Sequence, residues 1–153
     1  MLLHLNNRFY VAGISFLFPE KVFLNTNPPY SGDHTLYLIS SDQSFTIEII
    51  AHSGKKNSKD DLTPIPGNPL YTFHTPITPF FNNGLSGHYC CFHTVNPFPV
   101  FLETAFDIPQ NNDGLHVLSI QFSADNYQTL QSSEFLAVAN SLLRSVRLET
   151  DTV

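Results

Sequence analysis

Residues 82–146 of this chain read as one continuous unit: a glycine-rich turn, three strands and a closing amphipathic helix. The turn is Asn82-Asn83-Gly84-Leu85-Ser86-Gly87, and the strands run His88–Thr94, Val100–Ile108 and Leu115–Ser123. The last two form an antiparallel hairpin around Pro109–Gly114, because Asp113-Gly114 tolerates the positive φ that tight turns need. A helix is predicted over Ser133–Val146. There Phe135, Val138, Ala139, Leu142 and Val146 recur at helical spacing, and Leu136 and Leu143 widen the stripe. Ser132 or Ser133 caps its start, Glu134 lies in its first turn, and Arg144 and Arg147 sit toward its negative end. Such a helix needs a sheet face to lie on, which places the chain in the α+β class.

The upstream half adds strands to that frame. Phe9–Phe18 is a strand signal with Ile14, Phe16 and Phe18 on one face, ended by Pro19, which cannot donate to a ladder. Asn25–Asp33 is loop by its turn chemistry. Thr35–Ser40 and Ser44–Ala51 form a hairpin through Ser41-Asp42-Gln43. Tyr71–Thr75 is a short strand, followed by an irregular approach through Pro76 and Pro79 to the glycine turn. Between these lies His52–Pro69, polar, rich in breakers and too poor in apolar residues to pack by itself. It is expected as a flexible surface loop. Leu148–Val153 is expected as a strand stub or frayed tail. There is no repeat and no second hydrophobic block, so residues 1–153 form one domain. Fourteen Phe and six Tyr supply a Phe-rich core, while eleven Pro exclude an all-helical bundle. The expected architecture is a single antiparallel sheet with the C-terminal helix on one face, within an α/β/α sandwich.

Seven Lys and Arg against thirteen Asp and Glu give a formal charge of -6. The nearest basic cluster, Lys55, Lys56 and Lys59, is offset by Asp60 and Asp61, so nucleic acid is not the expected partner. The start of the sequence shows no secretory leader, and no stretch approaches the ~20 apolar residues that span a bilayer. The expectation is a soluble, cytoplasmic protein. Cys90 and Cys91 are adjacent, point to opposite faces of a strand, and read as buried small side chains rather than a disulfide.

Seven histidines invite a metal reading, which the spacing does not support. In His88-Tyr89-Cys90-Cys91-Phe92-His93, alternation sends His88 and Cys90 one way and Cys91 and His93 the other. No more than two could serve one ion without help from His74 or His116, so neither a metal nor another cofactor is expected. Ser86 lacks the strand–turn–helix of a nucleophile elbow, and Gly84 and Gly87 lack the following helix that would hold a phosphate. Their expected role is backbone geometry. The less apolar sheet face carries Glu48, His52, Glu103 and Asp107, with Ser119 and Gln121 beside them. Those four are the candidate binding residues, set against a plainly solvated sheet face.

Taken in order, these pieces resemble the PsbP-like superfamily of small α/β domains, which includes DcrB-type lipoproteins, effector-chaperone relatives and Mog-type Ran-binding proteins. The resemblance rests on Gly13-Ile14-Ser15-Phe16-Leu17-Phe18-Pro19, Asn83-Gly84-Leu85-Ser86-Gly87, Leu102-Glu103-Thr104-Ala105-Phe106, Leu115–Phe122 and Leu142–Leu148. The long helical segment such domains often place between the middle strands is replaced here by the proline-rich loop. The resemblance implies binding rather than catalysis, and it transfers no catalytic residues. The expectation is a monomer or weak homodimer, an adaptor or chaperone-like domain that holds a protein partner on its sheet face or on the 52–69 loop; the effector-chaperone relatives imply one version of this, a groove receiving an apolar helix. Two other readings remain open from the residues: an acidic immunity-type inhibitor of a basic partner, and a small metal-dependent enzyme using His88, His93, His116 and the polar-face carboxylates.

Overall fold

The computed structural model describes residues 3–5, 7–19, 22–24, 34–94 and 99–149. In chain order the strands are β1 (Leu3–Leu5), β2 (Arg8–Val11), β3 (Ile14–Leu17), β4 (Val22–Leu24), β5 (Thr35–Ser40) and β6 (Phe45–His52). A one-turn helix, α1 (Ser58–Asp61), precedes β7 (Tyr71–Asn82), β8 (Leu85–Thr94), β9 (Val100–Asp107) and β10 (Val117–Ala124). The chain then turns through α2 (Tyr127–Leu130) into α3 (Ser133–Ser145) and ends in β11 (Arg147–Leu148).

These strands make two antiparallel sheets rather than the expected single one. The larger has the order β4-β5-β6-β10-β9-β8-β7, and the smaller β1-β2-β3-β11. The second sheet arises because Phe9–Phe18 is a hairpin, not one strand. Ala12 (φ 49°) and Gly13 (φ 81°) form the turn, pairing Val11 with Ile14 and Phe9 with Phe16. The inward-facing set changes phase at this turn, from Phe9 and Val11 to Ile14 and Phe16, and that break in the alternation, not the alternation itself, marks the fold-back. The stub expected after the helix is β11, paired to β3; residues 150–153 and the Asn25–Asp33 loop lie outside the described residues.

Alternation divides the larger sheet cleanly. Phe45, Ile47, Ile49 and Ala51 of β6 and Leu118, Ile120, Phe122 and Ala124 of β10 are buried on one face, beneath α3. Phe135 enters from α3 and meets Phe45 and Phe122 edge-on, with ring centroids 5.1 and 5.4 Å apart. Ser132 caps the helix, its Oγ accepting the Phe135 amide at 3.1 Å. The smaller sheet joins this core through Phe9, Val11, Ile14 and Phe16. It is tied to the end of α3, since the Leu17 amide donates to Ser145 Oγ at 2.9 Å and buried Arg8 donates to the Ser145 carbonyl at 3.1 Å.

The opposite face departs from the expected sandwich, because among the described residues no long helix covers it. Residues 53–70 lie there instead, as a strap that contains α1. Leu62 is the strap's apolar plug, buried in a small second core with Cys90, Phe92, Ala105 and Val117. The segment that reads as a mobile polar loop therefore docks by polar contacts to the sheet, as described below. Its composition shows how little it can bury but not how many acceptors await it.

Prolines fit β7 for a related reason. The strand is twelve residues long rather than five, and lies at the sheet edge, where Pro76 and Pro79 are tolerated because one side of the strand has no neighbour to bond. Its register shifts between Phe73 and Thr75 and again between Thr75 and Thr78. An edge interrupted this way is a poor template for strand addition.

Candidate functional site

The four sequence candidates lie on the strapped face, and three of them bond to the strap. Glu48, Gln121 and Glu103 sit directly opposite one another across β6, β10 and β9. Glu103 is only 4% exposed. Its Oε2 accepts the Thr63 amide at 2.7 Å, and its Oε1 accepts Gln121 Nε2 at 2.6 Å and the Thr63 hydroxyl. Burial pushes the Glu103 carboxyl above its ordinary range, against the lowering effect of these bonds, and the nearby Asp61 charge adds to the rise. Asp107 receives the Ser58 amide at 2.6 Å, the Ser58 hydroxyl at 2.9 Å and the Ser86 hydroxyl at 3.2 Å. His52 Nε2 lies 2.6 Å from Asp61 Oδ1. Glu48 is half-buried.

This grouping brings a serine, a histidine and a carboxylate together without the order nucleophilic catalysis needs. Ser58 Oγ sits between His88 Nδ1, at 2.8 Å, and Asp107. The carboxylate can only accept, so the single hydroxyl proton goes to it and the imidazole donates to Ser58. The aspartate therefore orients the serine rather than the histidine, and Ser58 is fully buried. What the arrangement does chemically is satisfy α1 and hold the strap. The thiols are equally withdrawn: both are free and buried, with Cys90 pushed up to about 12 and Cys91 to about 11 by desolvation.

Alternation separates the histidine–cysteine strand as expected. His88 reaches the strap, whereas His93 turns to the other side and meets His74, with His74 Nε2 2.8 Å from His93 Nδ1. His74 also stacks on Tyr127 at 4.0 Å. Burial, and then the neighbouring His93, holds the His74 imidazole below its ordinary value. Among the described residues no three His, Cys, Asp or Glu side chains gather as a metal site.

An open, mainly apolar concavity lies on the helix face, beside α3. Strands β7, β8 and β9 extend past the helix there and leave a trough in two stretches. One, of about 310 Å³, is floored by Phe80, Tyr89, Leu102 and Phe106 and edged by Leu143 and Arg144. The other, of about 430 Å³, continues from the shared Leu102 and Leu143 toward Tyr127, with Leu136 along its side. Leu136 is 45% exposed although it lies on the apolar stripe of the helix.

The glycine turn shapes the end of this trough. Asn83 (φ 51°) and Gly84 (φ 85°) form the two-residue turn between β7 and β8. Asn83 Nδ2 donates to the carbonyls of Arg144 at 2.8 Å and Val146 at 3.2 Å, satisfying orphan acceptors at the end of α3. Gly87 serves a different need. A Cβ there would lie 2.3 Å from the Ala105 carbonyl and 2.7 Å from the Phe80 ring. Its absence lets Phe80 fold across the strand onto Phe106, edge-on at 5.2 Å, to make the floor.

Sequence reasoning assigned Leu136 and Leu143 to a widened core stripe and did not single out the trough. The signal was the width itself. The buried set is Phe135, Val138, Ala139 and Leu142, and the two extra leucines lie to one side of it.

No family model matches the sequence, and no curated protein matches it. Solved structures do. Cyanobacterial PsbP (CyanoP) from Synechocystis sp. PCC 6803 is similar at TM-score 0.56 and 10% identity, over 97% of this chain and 91% of its own. A mutant of the protein Mog1 is similar at TM-score 0.55 and 10% identity, over 99% and 97%. A Bacteroides thetaiotaomicron protein reaches TM-score 0.51 at 10% identity, and the chain spans only 47% of its length. Among the described residues no helix is long and apolar enough to cross a membrane. At this identity the likeness concerns architecture alone: the fold is similar to those of cyanobacterial PsbP and Mog1.

Proposed function

We propose that the chain is a non-enzymatic protein-binding domain that seats an apolar helical segment of a partner in the trough beside α3. The trough carries this reading: it is open, lined mainly by Phe, Leu and Tyr side chains, and bordered by a helix that leaves Leu136 in solvent. Exposed apolar surface rimmed by polar groups is a hallmark of partner sites, and a groove beside a helix suits an amphipathic helix. The polar-face candidates contribute indirectly, because Glu103, Asp107 and His52 engage the chain's own strap. The bulged, proline-bearing β7 edge argues against recruitment by strand addition.

A photo-crosslinking amino acid at position 136, compared with one at Lys55 on the strap, tests the reading. Crosslinks from 136 to an apolar helical stretch of a partner, mapped by mass spectrometry, are expected, with few from 55. Crosslinks confined to 55 would move the partner to the strapped face and overturn the proposal.

A further inference from the structure

The two stretches of the trough share a property that the protein as a whole lacks. The chain is acidic, with thirteen carboxylate side chains, yet no Asp or Glu lines either stretch. Arg144, exposed on the last turn of α3, is the charged residue at its border. The other arginines are engaged: Arg8 is buried against Ser15 at 2.6 Å, and Arg147 pairs with Glu149 at 2.9 Å. Among the described residues Arg144 has no ion-pair partner. The α3 dipole accounts for a cation in the last turn, but not for a lining cleared of carboxylates in an acidic protein.

From this we infer that the trough selects an amphipathic helix bearing a carboxylate one turn beyond its apolar anchors, positioned to meet Arg144. The inference rests on the protein-binding reading above and adds the partner's chemistry. Along α3 the trough is bordered by Leu136, then Asn140 one turn on, then the adjacent Leu143 and Arg144 a further turn on. From Leu136 to Arg144 this border runs about 12 Å at 1.5 Å per residue. In a facing helix that runs parallel to α3, anchors at i, i+4 and i+7 take up about 10.5 Å of that length, and i+11, the next residue on the same face, falls about 4.5 Å past the level of Arg144, within reach of its long side chain. A glutamate there meets a cation without an opposing acid. A lysine there meets Arg144 directly and is disfavoured.

The test uses three fluorescent helical peptides with leucine anchors at i, i+4 and i+7, identical except for Glu, Gln or Lys at i+11. Binding is read by fluorescence anisotropy on the full chain and on Arg144→Glu and Leu136→Asp variants. The Glu peptide is expected to bind wild type about two- to fivefold more tightly than the Gln peptide, the usual range for an exposed pair, with the Lys peptide weakest. Arg144→Glu should reverse the order, and added salt should compress it. Equal binding of all three peptides, abolished by Leu136→Asp, would overturn the carboxylate preference while leaving the trough as the partner site. Failure of every peptide would overturn the protein-binding reading as well. The same holds if only a fatty acid such as dodecanoate binds and does so through Arg144, since the trough would then serve a small amphiphile.

Discussion

The two faces of the seven-stranded sheet are closed by different physics. On one, α3 and the small sheet cover Phe, Ile and Leu side chains by non-directional packing, and the cover stops short, leaving the trough. On the other, buried Glu103 and half-buried Asp107 each accept two hydrogen bonds from a strap with little apolar surface and a third from the sheet itself. The apolar face can remain partly open, because a half-covered hydrophobic surface loses only area. The polar face cannot be left half-closed so readily, because a buried carboxylate stripped of donors is expensive. The face with the more reactive-looking residues is therefore the sealed one, and the face that reads as plain core holds the vacancy.

Breaking the packed face has the largest expected effect. Phe135→Ala removes the ring that meets Phe45 and Phe122, and should lower stability by about 3–5 kcal/mol in urea denaturation. A loss below about 1 kcal/mol would mean that the helix face collapses around the missing ring and does not anchor the fold. The strapped face should answer more weakly and more locally. Asp107→Ala deletes the acceptor of the Ser58 amide and hydroxyl and of the Ser86 hydroxyl, for about 1–3 kcal/mol. Hydrogen exchange should quicken at the Ser58 and Thr63 amides before it does in β10. Uniform quickening across the sheet would show instead that strap and sheet unfold as one unit.

The same contrast explains how far the sequence could be read. Period-two alternation found β5, β6, β8, β9 and β10, and helical spacing with a serine cap found α3 to within a residue at its C-terminal end. These signals are local and repeat over many residues. The strap escaped because its binding energy resides in acceptors forty or more residues away, so that neither Ser58 nor Thr63 carries a mark of Asp107 or Glu103. Pro76 and Pro79 hid β7 because edge position is a tertiary property. Glu103 and Asp107 were identified as unusual residues on a sheet face, but alternation gives a residue's side and not its cover. Arg144 was legible as a helix-end cation; its place at a border free of carboxylates appears only when β7, β8 and β9 are laid beside α3.

The smallest expected effect gives the sharpest test of how the polar face is balanced. Burial and the Asp61 charge hold the Glu103 carboxyl above its ordinary range, while bonds from Thr63 and Gln121 pull the other way. A carboxyl with a folded pKa above its unfolded one binds its proton more readily in the folded state. Its contribution is fully present below the unfolded pKa and is lost as pH rises through the folded one. Relative to Glu103→Gln, which does not titrate, the wild-type chain should gain stability as pH falls from neutral to the ordinary carboxylate range, and then level off. The Thr63 hydroxyl can rotate to accept the added proton, so the strap stays docked throughout. Paired urea denaturations between pH 7 and pH 4 measure this difference with the other carboxylates cancelled. Were wild type to lose ground to the variant on acidification, the strap's hydrogen bonds would outweigh desolvation, and Glu103 would be an ionic clasp rather than a buried acid that the strap tolerates.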